Sequence, residues 1–257
     1  MPGQREPTDE QFRQAIVDFA ALLDGIGTFK INRRKERNAL FLQGLVFYVH
    51  DTARAALLLI DNGHTANAAA LARIAVEHAT MAQWLYLRPD GAEKYLAELE
   101  AQGKTFAAKL VGVGITMPDD LKDAYKRYEQ AKAVQEIRQT ESLFNAVDPS
   151  GWMYVQWKTL CGYVHPSSST AARYMKEEPD GSITWIKQPD AIPARALLFT
   201  LALSMSLATA PLLDLVHSKP YKKRLAKISE AGGVPLWVTE DGGPPNRGWF
   251  RPGRRKP

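Results

Sequence analysis

The sequence holds a single cysteine, Cys161, in 257 residues. No internal disulfide framework can form, so a folded state must rest on its core. A basic-then-apolar leader is missing from the N-terminus, and together with the lone thiol this leads us to expect a cytoplasmic protein. Phosphate-cradling G-x-G-x-x-G and Walker-type loops are absent, as are H-E-x-x-H and any cysteine pair for zinc. A di-iron bundle would need Glu-x-x-His on two helices, but the residue three after Glu77 is Thr80. No cofactor or metal is therefore expected. Strand signals are nearly as scarce. One alternating run, Ile183-Thr184-Trp185-Ile186, faces a Pro179-Asp180-Gly181-Ser182 turn, giving a small hairpin over about 173–188.

What the chain has in quantity is apolar residues at helical spacing, with 45% hydrophobic residues overall. That composition and length can bury a large core. The fold class expected is all-α: a bundle of about eight helices with the one hairpin and a basic, irregular C-terminal tail. The net charge of +5 is unevenly spread: the last 40 residues carry ten Lys or Arg against three acids, leaving the remainder slightly acidic. A basic tail suits a polyanion such as RNA, and equally a solubilising end. The expected organisation is a bundle over 1–217 followed by a basic helix and tail over 218–257.

Most helices can be placed from their ends. Thr8 and Gln11 form a capping-box start to an amphipathic first helix, which ends at Gly25 and Gly27. A basic run from Lys30 to Arg37 reads as a solvated connection or a nucleic-acid contact. Asp90 and Glu93 are expected to cap the helix after Pro89, and a polar outer helix is expected from about Met117 to Phe144. Ala196 to Leu213 is eighteen uncharged residues, at the lower bound for a membrane span. Its Ser, Thr and Pro content favours a buried central helix instead, and no membrane association is expected.

The chain is organised around Gly63–Leu87, which follows an Asp61-Asn62-Gly63 turn signal, is rich in strong helix formers and has no Gly or Pro after Gly63, so a helix is expected through about Leu87. Ala66, Ala69, Ala70, Arg73, Glu77, Met81 and Trp84 share one stripe of it. That stripe is apolar except for Arg73 and Glu77, which places the pair inside the fold, facing other helices. Two charges taken from water must be paired and hydrogen-bonded, so they form a structural strut or part of a site. One helix earlier, His50, Asp51 and Arg54 form a second polar island at spacings of three and four. A chain of ion pairs explains it as well as a binding site does.

The second informative stretch is Trp152 to Ser169. Ser150 is a suitable N-cap for its helix, and Pro166 biases His165 away from helical geometry, so the helix should end there. His165 then sits at a helix C-terminus, on one stripe with Tyr154, Lys158 and Cys161, beside Ser167 and two further serines. The helix end, the proline and the serines make it a candidate functional histidine, with Lys158 and Ser167 as accompanying binding groups.

Arg73 and His78 are spaced as R-x-x-x-x-H. This spacing in a helical setting resembles HEPN-like domains, all-α bundles found in many bacterial toxins and defence proteins. The resemblance covers about residues 38–170. It implies a metal-independent RNA-cleaving site, usually paired across a homodimer, with the histidine as acid or base at the ribose 2′-hydroxyl and the arginine stabilising charge on phosphate. On a straight helix Arg73 and His78 diverge by about 140°, whereas Arg73 and Glu77 align. Leu71-x-Arg73-x-x-x-Glu77 with the later Tyr163-x-His165-Pro166-Ser167 is similar to a bacterial branch of uncharacterised helical proteins sometimes grouped with HEPN. That similarity implies that Arg73, Glu77 and His165 converge across two helices.

The candidate catalytic residues are thus Arg73, Glu77, His78 and His165. The expected function is an RNA-binding protein or metal-independent endoribonuclease, related to toxins or phage defence and acting as a homodimer. Two alternatives remain open: a non-catalytic interaction module with an Arg-Glu-His structural cluster, and a small-molecule enzyme using the same pocket.

Overall fold

A computed structural model describes residues 6–27, 36–113, 134–165, 172, 174–186, 192–216 and 219–238. The Lys30–Lys35 part of the basic run, most of the expected 117–144 helix, Ser167 and the tail beyond Val238 lie outside the described residues. Among the described residues there are nine helices and one hairpin. The helices are α1 (Asp9–Asp24), α2 (Glu36–Asp61), α3 (Thr65–Leu87), α4 (Gly91–Gly112), α5 (Gln135–Arg138), α6 (Thr140–Val147), α7 (Trp152–Val164), α8 (Ala194–Leu215) and α9 (Lys219–Ala231). The hairpin pairs β1 (Met175–Glu177) antiparallel with β2 (Ile183–Trp185), Lys176 opposite Thr184. The fold is therefore the all-α bundle with one hairpin that the apolar periodicity predicts.

The core forms where α2, α3 and α8 pack on one another, with α1 closing over α8. Helix α8 is buried along almost its whole length, from Leu197 to Leu213. It is long and apolar enough to cross a membrane, yet 89% of its apolar window is buried inside the fold. Most of its hydroxyls are satisfied within the helix, Thr200 donating to the Ala196 carbonyl at 2.8 Å and Ser204 to that of Thr200 at 2.7 Å, while Ser206 donates to the Pro235 carbonyl at 2.8 Å. Pro211 has no N–H for the carbonyl of Leu207, four residues back. Gln83 of α3, itself buried, fills that role by donating to the Leu207 carbonyl at 2.6 Å. Helix α9 adds Leu225 and Ile228 to the same core, as does Trp237 beyond it.

Two helix starts and one expected helix differ in detail from the sequence expectation. The Thr8–Gln11 capping box forms as expected. At α4, Asp90 has φ −100° and ψ 21°, not the extended backbone of an N-cap, and its side chain caps nothing. Asp90 instead pairs with Lys94 at 2.9 Å, and Asn38 of α2 accepts from the Ala92 N–H at 3.2 Å. The region before Phe144 is not one helix, because an extended Gln139 separates α5 from α6. At α7 the N-cap is Gly151, at φ +76°, and not Ser150.

The N–H groups that open α7 are met by the Ser150 hydroxyl, which accepts from Trp152 at 3.3 Å, and by Asp148, which is buried. Its Oδ1 accepts from the Ser150 backbone at 3.0 Å and hydroxyl at 2.5 Å, and its Oδ2 accepts from the Met153 N–H at 2.8 Å. Removing a capping carboxylate that leaves buried donors unsatisfied costs about 2 kcal/mol. Asp148→Ala is accordingly expected to lower the melting temperature by roughly 4–8 °C. An unchanged melting curve would mean that the cap is not holding α7 in place.

Candidate functional site

Helices α3 and α7 pack together, and the polar residues that both carry meet along that contact. Arg73 and Glu77, one turn apart on α3, are half-buried, with side chains 20% and 24% exposed. They sit at the edge of the core, not inside it, which corrects the sequence expectation. The reason is the partner: α7 covers the pair on one side and ends at His165, leaving the other side open. The helix stops at His165 as Pro166 requires, with φ −80° and ψ 141° there.

Arg73 Nη1 lies 3.0 Å from His165 Nε2. A guanidinium has only N–H donors, so Nε2 is the acceptor at this contact. Arg73 Nε is 3.2 Å from Glu77 Oε1, an ion-pair distance whose N–H points off the line to the oxygen. The indole N–H of Trp157 on α7 donates to the same Glu77 oxygen. The Arg73 guanidinium also lies 5.9 Å from the centre of the Trp157 ring, a distance at which the ring face attracts a cation. Trp157 is fixed in turn by stacking with Tyr154 at 5.7 Å and by Phe144 at 5.8 Å. One charged head group is thus held from below by a carboxylate and an aromatic face while its Nη1 edge meets an exposed histidine.

The other expected site residues are placed elsewhere. His78 is turned away from Arg73, as five residues on a helix require: its Nδ1 bonds the Ile74 carbonyl at 2.9 Å and its ring lies 4.6 Å from that of Tyr48. His78 and Glu77 together line a cleft of about 240 Å³ between α3, α4 and α6. The second island divides. His50 is buried and bonds Thr209 of α8 through Nε2 at 2.8 Å. Arg54 turns to α1, donating to Asp24 at 2.6 Å and to the Ala20 carbonyl at 3.3 Å, while Asp51 faces solvent. These three therefore join no common site with Arg73: His50 and Arg54, four apart, share the face of α2 turned to α8 and α1, and Asp51, a 100° step from His50, points to solvent.

Lys158 is exposed on α7. Cys161 is buried near Arg73 and Glu77, and burial pushes its thiol above the ordinary range, with the Arg73 charge opposing and Glu77 adding to the shift. Such a thiol is a poor nucleophile. Among the described residues no group of three His, Cys, Asp or Glu is placed to hold a metal ion.

Trp157 is the member of the cluster that sequence reasoning missed. It lies four residues before Cys161 and eight before His165, so the same helical spacing that selected His165 also selects it. The polar cluster, from Arg73 to His165, falls inside one matched segment: residues 40–183 fit the pattern of DUF5677, a family of unknown function. The chain belongs to DUF5677. The segment that places it there runs from α2 through the first residue of β2 and leaves out α1, α8 and α9, so the DUF5677 region holds the candidate site while much of the core that supports it lies outside. No curated protein and no solved structure is detectably similar to this DUF5677 chain.

Proposed function

We propose that the chain is a metal-independent endoribonuclease whose reacting groups are Arg73 and His165. The observation that carries this reading is the 3.0 Å contact between a guanidinium held from behind and an exposed imidazole. Together they place an imidazole and a cation at one surface point, and the imidazole becomes a proton acceptor once the guanidinium turns from Nε2 to a bound phosphate. In the proposed reaction His165 takes the proton of a ribose 2′-hydroxyl. The 2′-oxygen then bonds to the neighbouring phosphorus, the bond from phosphorus to the 5′-oxygen breaks, and a proton returns to that leaving oxygen. The products are a 2′,3′-cyclic phosphate and a free 5′-hydroxyl. Arg73 stabilises the charge that gathers on the phosphoryl oxygens. Glu77 and Trp157 position Arg73 and touch no reacting atom. The proposal includes a homodimer in the cytoplasm, as the HEPN-like resemblance implies.

The test is cleavage of total RNA by purified protein in EDTA. Arg73→Ala and His165→Ala are each expected to lower the rate about 100-fold, with His78→Ala close to wild type. Wild-type protein that leaves RNA intact would overturn the reading. One observation favours a second reading: Trp157, Glu77 and Arg73 link α3 to α7, as a structural strut would. On that reading Arg73→Ala lowers the melting temperature by several degrees and no substrate is turned over.

A further inference from the structure

The cleft beside Glu77 and His78 does not end there. A second cleft of about 190 Å³ adjoins it, and Gln102 and Arg138 line both. The two make one groove along α4. Tyr95, Gln102, Phe106 and Lys109 are spaced by seven, four and three residues, so they share one face of that helix over about 21 Å. The opposite bank is α5, held in place by buried Glu98: Oε2 accepts from the Val134 N–H at 2.7 Å and Oε1 from the Gln102 amide at 3.2 Å. An ion pair between Arg88 and Glu136 fixes the same short helix to the end of α3.

The lining alternates in kind. The Tyr95 ring is set edge-on against Phe41 at 5.3 Å and forms a fixed aromatic wall. Phe106 is 62% exposed, a large ring with one face to solvent. Between and beyond these rings stand Arg138 and Lys109, both exposed and with no acidic partner among the described residues. The carboxylate at the far end, Glu77, is already neutralised by Arg73. A half-buried ring and an exposed one, with two cations that have no acidic partner among the described residues, are what a single nucleic-acid strand requires, with bases on the rings and phosphates on the cations. Each cleft is smaller than the 300 Å³ or so of a typical drug-sized pocket, so it admits a splayed-out base and excludes a duplex.

We propose that this groove binds a single strand of RNA, with one base in the Tyr95–His78 cleft, a base further along the strand against Phe106, and a phosphate between them on Arg138. The proposal gives the nuclease reading its substrate class and rests on it for the chemistry, but the binding is separately measurable. The groove reaches Glu77 and so delivers the strand to the α3 turn that carries Arg73.

The experiment is fluorescence anisotropy of a labelled 2′-O-methyl RNA hexamer, which has no 2′-hydroxyl to react. Wild type, Arg138→Ala, Phe106→Ala and Lys109→Ala are compared, all three substitutions being at exposed positions. Arg138→Ala and Phe106→Ala are each expected to raise Kd about tenfold. Arg138→Ala should also reduce the steepness of the salt dependence by about 0.7. Kd values within twofold of wild type in all three variants, tighter binding of the matching duplex, or no binding by wild type would each overturn the groove. If the variants weaken binding while wild type cleaves no RNA, the groove stands and the nuclease reading falls. If cleavage needs Arg73 and His165 but ignores all three groove variants, the nuclease reading stands and the groove falls.

Discussion

Acidification from pH 7.5 to pH 5 is expected to remove about 2 kcal/mol of stability through His50 alone. Burial, reinforced by the nearby Arg54 charge and only partly opposed by Asp24, pushes the imidazole from its ordinary 6.5 down to about 3. Thr209 donates its hydroxyl proton to the Met205 carbonyl at 2.6 Å, so it can only accept from His50. Nε2 therefore carries the proton, and Nδ1 is a buried nitrogen with no partner among the described residues. The folded chain keeps this ring neutral down to about pH 3, while the unfolded chain binds a proton below about pH 6.5. Between those values the unfolded state holds more protons, so stability falls as pH falls. His50→Gln keeps a donor for Thr209 and does not titrate. Urea unfolding at the two pH values checks the effect: wild type should lose about 2 kcal/mol more than the variant. Equal losses would show that His50 is not what acid destabilises.

Trp84→Ala should destabilise the bundle by about 3–5 kcal/mol. The side chain is fully buried near the C-terminal end of α3, within the core shared with α2 and α8. Truncation removes a large apolar surface and leaves a cavity that helices on several sides must keep open. For a domain of this size the melting temperature should drop by roughly 6–20 °C. Trp84→Phe gives the contrast. The indole N–H is buried without a partner among the described residues, so phenylalanine loses some packing but also removes an unpaired donor, and should cost less than about 1.5 kcal/mol. Similar destabilisation by both substitutions would mean that the N–H is satisfied and that the indole shape itself is required.

Helix α3 carries some of its features in its own sequence and takes others from distant segments. Periodicity found the helix, the Arg73–Glu77 alignment and the divergence of His78, because all three depend only on the 100° step between residues. It also found the helix end at His165, which proline imposes locally. The depth of Arg73 was not legible, since it depends on where α7 stops across a gap of many residues. The same holds for the His50 island, whose three members were grouped by spacing although their partners lie on α1, on α8 and in solvent. Gln83 is the clearest case. Nothing near it in sequence announces a buried amide, and its use appears only when Pro211, on another helix, is found to have left the Leu207 carbonyl open. The groove along α4 has no local signature, because the bank that makes it a groove follows only after residue 133.

The position of α8 at the centre of the bundle has a consequence for synthesis. Helices α1, α2 and α3 all bury apolar faces against a helix that the ribosome makes after them, and these long-range contacts close late. While residues 194–215 are still in the exit tunnel, those faces have no covering partner. Nascent chains arrested before α8 should therefore engage a chaperone that binds exposed apolar surface, and release from it should coincide with the emergence of Leu215.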